Sequence, residues 1–309
     1  MKKIYKYILI LIFGLFSFQL SAQVRSYGWQ SGPPLNTPRV GASAVVLDGY
    51  IYVMGGKTTN NQILNTVERF DPATNTWDDT TVAPFMDTRY NAAAAVFNSE
   101  IYLIGGRGYY NDILDEVEVY NPQTNRWREI EKLDREREGH VAVLLRNHIC
   151  VMGGIRDNGQ FVAEIEWYNG SDWIEAPNDL GSPRAVPFAA SVADSFYMFG
   201  GERISGLTNT GYRAEVTPGW FFNWTSLPDL QIARGYGASA ILDNKMYMIA
   251  GMTFNSTSDH VEIFDLNTYQ IENGPTFPEP RMGMTAATLN GDIYVIGGSN
   301  HIDPLTDVE

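Results

Sequence analysis

The chain has 309 residues, 44% of them hydrophobic, and a formal charge of −14 from 22 basic and 36 acidic side chains. That length and apolar content suffice for one or two domains with a large core, while the acidic balance argues against nucleic acid, whose binding rests on neutralising phosphates with Lys and Arg. A single cysteine, Cys150, excludes an intramolecular disulfide.

The first element is a targeting segment. Lys2, Lys3 and Lys6 precede an apolar stretch from Tyr7 to Leu20 that ends in Leu20-Ser21-Ala22. A basic start, a short apolar centre and small residues before a cut predict a signal peptide over residues 1–22. The stretch falls short of the roughly 20 apolar residues that a spanning helix needs, and no cysteine near the cut offers a lipid attachment point. The expected mature protein is residues 23–309, without a membrane anchor, placed in the periplasm, at the cell surface or outside the cell. It keeps 19 basic residues against 36 acidic ones.

After Tyr27-Gly28-Trp29 the chain enters a repeating unit. An arginine, Arg39, is followed by the small-residue stretch GASAVVL from Gly41, the apolar phrase IYVMGG from Ile51, TVERF from Thr66 with Glu68, an Asp71-Pro72 turn and Trp77. The phrase returns as IYLIGG from Ile101, ICVMGG from Ile149, FYMFGG from Phe196, MYMIAG from Met246 and IYVIGG from Ile293, at steps near 50 residues. Sixteen residues before each glycine pair stands an arginine: Arg39, Arg89, Arg137, Arg184, Arg234 and Arg281. A glutamate follows each pair, at Glu68, Glu118, Glu166, Glu215, Glu262 and Glu309, and a tryptophan follows in four units, at Trp77, Trp127, Trp173 and Trp224. Each unit reads as four short strands bounded by turn residues. The glycine pair marks close backbone approach or positive φ, both of which glycine accepts without steric cost.

Arginine, double glycine, glutamate and tryptophan in this order resemble the kelch repeat, over the chain from about Tyr27 to Glu309. The resemblance implies an all-β fold: a six-bladed β-propeller of four-stranded antiparallel blades fanned around an axis. The sixth unit stops at Glu309, before its tryptophan strand, and Trp29 stands ten residues before Arg39, the usual spacing. An N-terminal strand is therefore expected to close the ring and remove an open sheet edge; the alternative is a chain that continues past Glu309.

Chemistry is less legible. His140, His148, His260 and His301 show no metal-ligand spacing, so no metal or other cofactor is expected. Cys150, in the second strand of its unit, reads as a core residue. Galactose oxidase-like propellers are disfavoured by the position of that cysteine and the lack of extra domains. Bacterial sialic acid mutarotases are similar in architecture but carry long inserted loops that this chain lacks, and fold does not fix function.

Two readings of the arginines stay open: six guanidinium groups gathered at one channel mouth as an anion site, or six arginines paired with the glutamates inside the blades. Tyr90 and Tyr236 follow two of them closely and add stacking surface. The segments after the glycine pairs differ in every unit, and Tyr109 and Tyr110 lie on one of them; variable loops on a repeated scaffold are where specificity sits. The expected function is a non-catalytic binding module, most simply a monomer, taking a protein or a small anionic or carbohydrate ligand at one face. The alternative is a carbohydrate-active isomerase of the mutarotase type, for which no acid and base can be assigned from sequence.

Overall fold

A computed structural model describes residues 28–309; the predicted signal peptide lies outside the described residues. Five repeats form four-stranded antiparallel sheets with their strands in sequence order. The first runs Ser43–Leu47, Tyr50–Met54, Val67–Asp71 and Thr76–Asp78, and the second Ala93–Phe97, Glu100–Ile104, Val117–Asn121 and Arg126–Glu129. The third, fourth and fifth repeats follow the same plan. Where six complete blades are expected, the sixth repeat forms a two-stranded sheet, Thr285–Leu289 with Asp292–Ile296. Its third strand is represented by a single bridge between Ile296 and Val308.

Local chemistry explains the strands. The first two strands of most blades join through two-residue turns such as Asp48-Gly49, Asn98-Ser99 and Asp243-Asn244, with φ positive at both positions. This is the hairpin turn whose twist suits the flanking strands. Between the third and fourth strands an Asx turn recurs, as where the Asp71 carboxylate accepts the Ala73 N–H and the Asn121 side chain accepts those of Gln123 and Thr124. The second strands, rich in Ile, Tyr, Val and Met, are buried on both faces, and six apolar clusters pack blade against blade.

The innermost strands carry alanines and glycines because they crowd around an axis. They enclose a channel of about 240 Å³ lined by Ala42, Ala92, His140, Pro187, Gly237 and Met284 and their neighbours. At one mouth, the residue two places after each arginine takes a left-handed conformation: Gly41, Asn91, Gly139, Val186, Tyr236 and Gly283. Their backbones bond in a closed circle, Asn91 donating to Gly41, Gly139 to Asn91, Val186 to Gly139, Tyr236 to Val186, Gly283 to Tyr236 and Gly41 to Gly283. One residue from each of the six repeats thus belongs to a single ring. Val186 and Tyr236 hold φ of 48° and 57°, a strain of order 1–3 kcal/mol each that the ring must hold in place.

The glycine pairs sit where the next blade's backbone arrives. A Cβ on Gly55 would lie 2.4 Å from the Arg89 carbonyl oxygen, closer than any side chain tolerates. Tryptophans of the fourth strands in the first three blades tie each of them to the linker before it through indole N–H donors, from Trp77 to the Pro33 carbonyl (2.9 Å), Trp127 to Ala83 (2.8 Å) and Trp173 to Glu131 (2.9 Å).

Candidate functional site

The six arginines lie inside the blades. Each is at most 1% exposed, with its guanidinium under the glycine pair of its own repeat. Arg39 donates to the Gly55 carbonyl (2.9 Å) and to Glu68 (2.9 Å); Arg89 pairs with Glu118 at 2.6 Å and Arg234 with Glu262 at 2.9 Å. Arg137 pairs with Glu166. Arg281 stands 3.6 Å from Glu279 and 3.8 Å from Glu309. The carboxylates of Glu68, Glu118, Glu166 and Glu262 also accept backbone N–H groups of the segment just before the arginine, as where Glu118 takes those of Met86 and Asp87. The pairs therefore pin each interblade linker to its blade. The placement of Arg39, Arg89, Arg137 and Arg234 matches the reading in which the arginines pair with glutamates inside the blades.

The fourth repeat departs from the expected pairing. Glu215 is exposed and bonds Arg213, because Tyr212, not Glu215, occupies the place that Glu68 holds in the first repeat. Arg184 instead donates to the Ser182 and Thr210 hydroxyls, and its guanidinium lies 5.2 Å from the Tyr212 ring centre. With no carboxylate beside it, burial lowers this arginine's pKa to about 10, so it stays charged at neutral pH.

Asn91 and Tyr236, which line the channel, bond polar groups that stand beside the arginines and just after the glycine pairs. Short bridges hold these two positions together, Tyr90 with Arg107, Glu138 with Ile155, Ala185 with Glu202 and Gly235 with Met252. Across the second and third repeats, Arg107 donates to one oxygen of Glu138 through Nε (2.9 Å) and Nη2 (2.6 Å), while Asn91 donates to the other oxygen (3.1 Å). The Glu138 bond holds the Arg107 guanidinium above its ordinary range. Lys57 lies 5.0 Å from the centre of the half-buried Tyr90 ring. Across the fourth and fifth repeats the Tyr236 hydroxyl donates to Glu202 at 2.6 Å, and burial, then that carboxylate, raises the phenol pKa.

The predicted site residues thus separate into three places: the arginines in the blades, Tyr90 and Tyr236 at the mouth, and Tyr109 and Tyr110 at a loop tip, 73% and 86% exposed. Asn91, Glu138 and Glu202 were not singled out in the sequence. The signal that would have found them is their offset, one or two residues after an arginine or directly after a glycine pair. Cys150 is fully buried and burial raises its thiol pKa. Among the described residues no group of three or more His, Cys, Asp or Glu side chains is placed to hold a metal ion, and no helix is long and apolar enough to cross a membrane.

Comparison with known proteins agrees with this geometry. Residues 101–307 match the family described as Attractin/LZTR1 beta-propeller, and residues 14–154 the KLHDC2/KLHL20/DRC7 Kelch-repeats domain. An F-box/kelch-repeat protein of Arabidopsis thaliana is 31% identical over 118 residues, 36% of this chain and 28% of that protein. Beta-scruin of Limulus polyphemus is 25% identical over 185 residues, 53% of this chain and 19% of that protein. The chain spans under a third of the length of these relatives. The solved structure of YjhT superposes with a TM-score of 0.80 at 15% identity, covering 90% of this chain and 95% of that one, a likeness of fold alone. Repeats, sheets and family matches agree: the chain belongs to the kelch-repeat β-propeller family.

Proposed function

We propose that this protein is an exported, non-catalytic binding module that holds a protein, or a small anionic or carbohydrate ligand, over the channel mouth framed by Tyr90, Arg107, Glu138, Glu202 and Tyr236. The observation that carries the reading is the division of labour among polar groups. The buried arginines bond carbonyls, hydroxyls and carboxylates inside the blades, four of them through a glutamate that also holds the preceding linker, whereas Asn91 and Tyr236 line the channel and bond Glu138 and Glu202 beside it. Charged and aromatic groups converging on a concavity are the usual mark of a binding site.

The proposal includes six blades, the last completed by the N-terminal segment. Support comes from the Gly32 N–H bonded to the Val308 carbonyl (2.7 Å) and the Leu35 N–H bonded to that of Thr306 (2.8 Å). It also comes from Trp29, which donates to the Pro275 carbonyl (3.0 Å) as the other tryptophans do to their preceding linkers. Export through a signal peptide over residues 1–22 and a monomeric mature chain belong to the same proposal.

A second reading, a carbohydrate-active isomerase, is favoured by the Tyr236–Glu202 pair, since a phenol bonded to a carboxylate supplies an acid and a base for proton transfer. A glycan, sialic acid and acidic-peptide binding screen on residues 23–309, repeated with Tyr236→Phe and Arg107→Ala, tests both. Binding that weakens about tenfold or more in either variant, without conversion of the bound compound, supports the module. Conversion that Tyr236→Phe abolishes supports the isomerase. Binding unchanged in both variants removes the mouth from consideration.

A further inference from the structure

The loops that follow the glycine pairs end in tips whose side chains are unusually placed. Four of the six repeats put a large apolar residue four or five positions beyond the start of the pair: Tyr109 and Tyr110, Ile204, Phe254 and Ile302. Their exposures are 73%, 86%, 88%, 89% and 82%, while every other large apolar residue among the described residues is at most 50% exposed. The tips of the first and third repeats carry Thr59-Asn60 and Asp157-Asn158 instead.

These tips are ordered. The Gly108 N–H bonds the Asp112 carbonyl, that of Thr253 bonds Ser256, and the Asn300 side chain accepts the N–H groups of Ile302 and Asp303. Glu202–Arg203 and Gly206–Leu207 pair as a small hairpin that presents Ile204. Tyr109 and Tyr110 pack edge to face, with ring centres 5.3 Å apart. Isolated exposed apolar residues are normal on a surface, but a set gathered at equivalent points around one face marks an interaction site.

We propose that these five side chains are a docking crown for a protein partner that presents an apolar patch bordered by Lys and Arg. Charge selects this partner. The fourth, fifth and sixth repeats carry Ile204, Phe254 and Ile302 side by side in blade order, and the loops 252–260 and 299–307 hold Asp259, Asp303 and Asp307 with no Lys or Arg. A chain of net charge −14 repels an anionic lipid surface and a second copy of itself, and attracts a basic surface, with screening by salt. Preformed tips also lose little conformational freedom when bound. The inference rests on the binding-module reading and adds the residues and the chemistry of the partner.

The test uses immobilised residues 23–309 to select from a displayed library of short random peptides, followed by affinity measurements on the enriched peptides. The expected peptides combine Lys or Arg with aromatic or aliphatic residues. Their Kd rises tenfold or more in Phe254→Ser/Ile302→Ser at unchanged melting temperature, and rises with salt. Acidic enriched peptides, or affinity indifferent to the tip changes, overturn the crown. If affinity instead falls in Tyr236→Phe while the tip variant binds normally, the mouth stands and the crown does not. No enrichment at all sinks both. Sedimentation of the protein with phosphatidylcholine or phosphatidylcholine/phosphatidylglycerol vesicles, or a concentration-dependent dimer, each lost in the tip variant, would reassign the crown to lipid or to self-association.

Discussion

Replacing Glu118 with Ala tests the buried pairs most directly. The Glu118 carboxylate accepts three hydrogen bonds, from Arg89 Nη2 (2.6 Å), the Met86 N–H (2.6 Å) and the Asp87 N–H (3.1 Å), and neither it nor Arg89 is exposed. Arg89 would keep its bonds to the Gly105 and Glu116 carbonyls but would lose its counter-charge, and two linker N–H groups would lose their acceptors. Leaving a buried charge unpaired costs about 3–5 kcal/mol, which for a chain of this size lowers the melting temperature by roughly 6–20 °C. The fourth repeat supplies the control. Arg184 is held by hydroxyls and the Tyr212 ring with no carboxylate beside it, so Tyr212→Ala removes a cation–π contact worth about 2 kcal/mol and creates no new unpaired charge. Thermal and guanidinium chloride unfolding followed by circular dichroism would measure both variants. A loss below about 1 kcal/mol in Glu118→Ala, or one equal to that of Tyr212→Ala, would refute the view that the pairs hold the linkers by charge.

Three further outcomes are expected. Burial, then the neighbouring Arg137, lowers the His140 imidazole to about 3, so the native state binds fewer protons than the unfolded chain between that value and the ordinary one near 6.5. The stability this histidine permits is complete above about pH 6.5 and is lost as pH falls toward 3, with a slope approaching about 1.4 kcal/mol per unit. In His140→Ala, denaturant midpoints measured from about pH 7 down to about pH 4 should fall less steeply than in the parent, and an identical slope would show that His140 does not titrate this way. Trp29→Ala should cost about 2 kcal/mol, below the 3–5 of a fully buried tryptophan, because it removes the bond to Pro275 and the edge contact with Phe277 at 4.9 Å; unchanged melting would count against closure by the N-terminal segment. Intact-mass measurement of protein secreted from a bacterial host should give a chain beginning at Gln23, and a mass that retains residues 1–22 would overturn export.

The sequence alone determined what depends on periodicity and local stereochemistry. Phrases such as IYVMGG and TVERF named the second and third strands within a residue or two, because apolar runs bounded by turn residues leave a strand few other conformations. The glycine pairs marked left-handed backbone, and even the degenerate pair holds it, with Ala250 at φ 54°. Trp77, Trp127, Trp173 and Trp224 fell on fourth strands as read. Only the tertiary structure decided which way the repeated polar side chains reach. A fixed sixteen-residue offset puts six arginines at equivalent points, yet the same offset serves a guanidinium aimed at the channel and one folded beneath the glycines; the choice turns on whether a carboxylate or carbonyl lies within bonding distance across the blade, and spacing along the chain does not record that distance. Glu215 failed for the same reason, since the glutamate nearest the expected spacing lies outside the pocket that Tyr212 fills. The mouth pairs, Arg107 with Glu138 and Tyr236 with Glu202, join residues of neighbouring repeats 31 and 34 positions apart, so they come together only when the blades close around the axis.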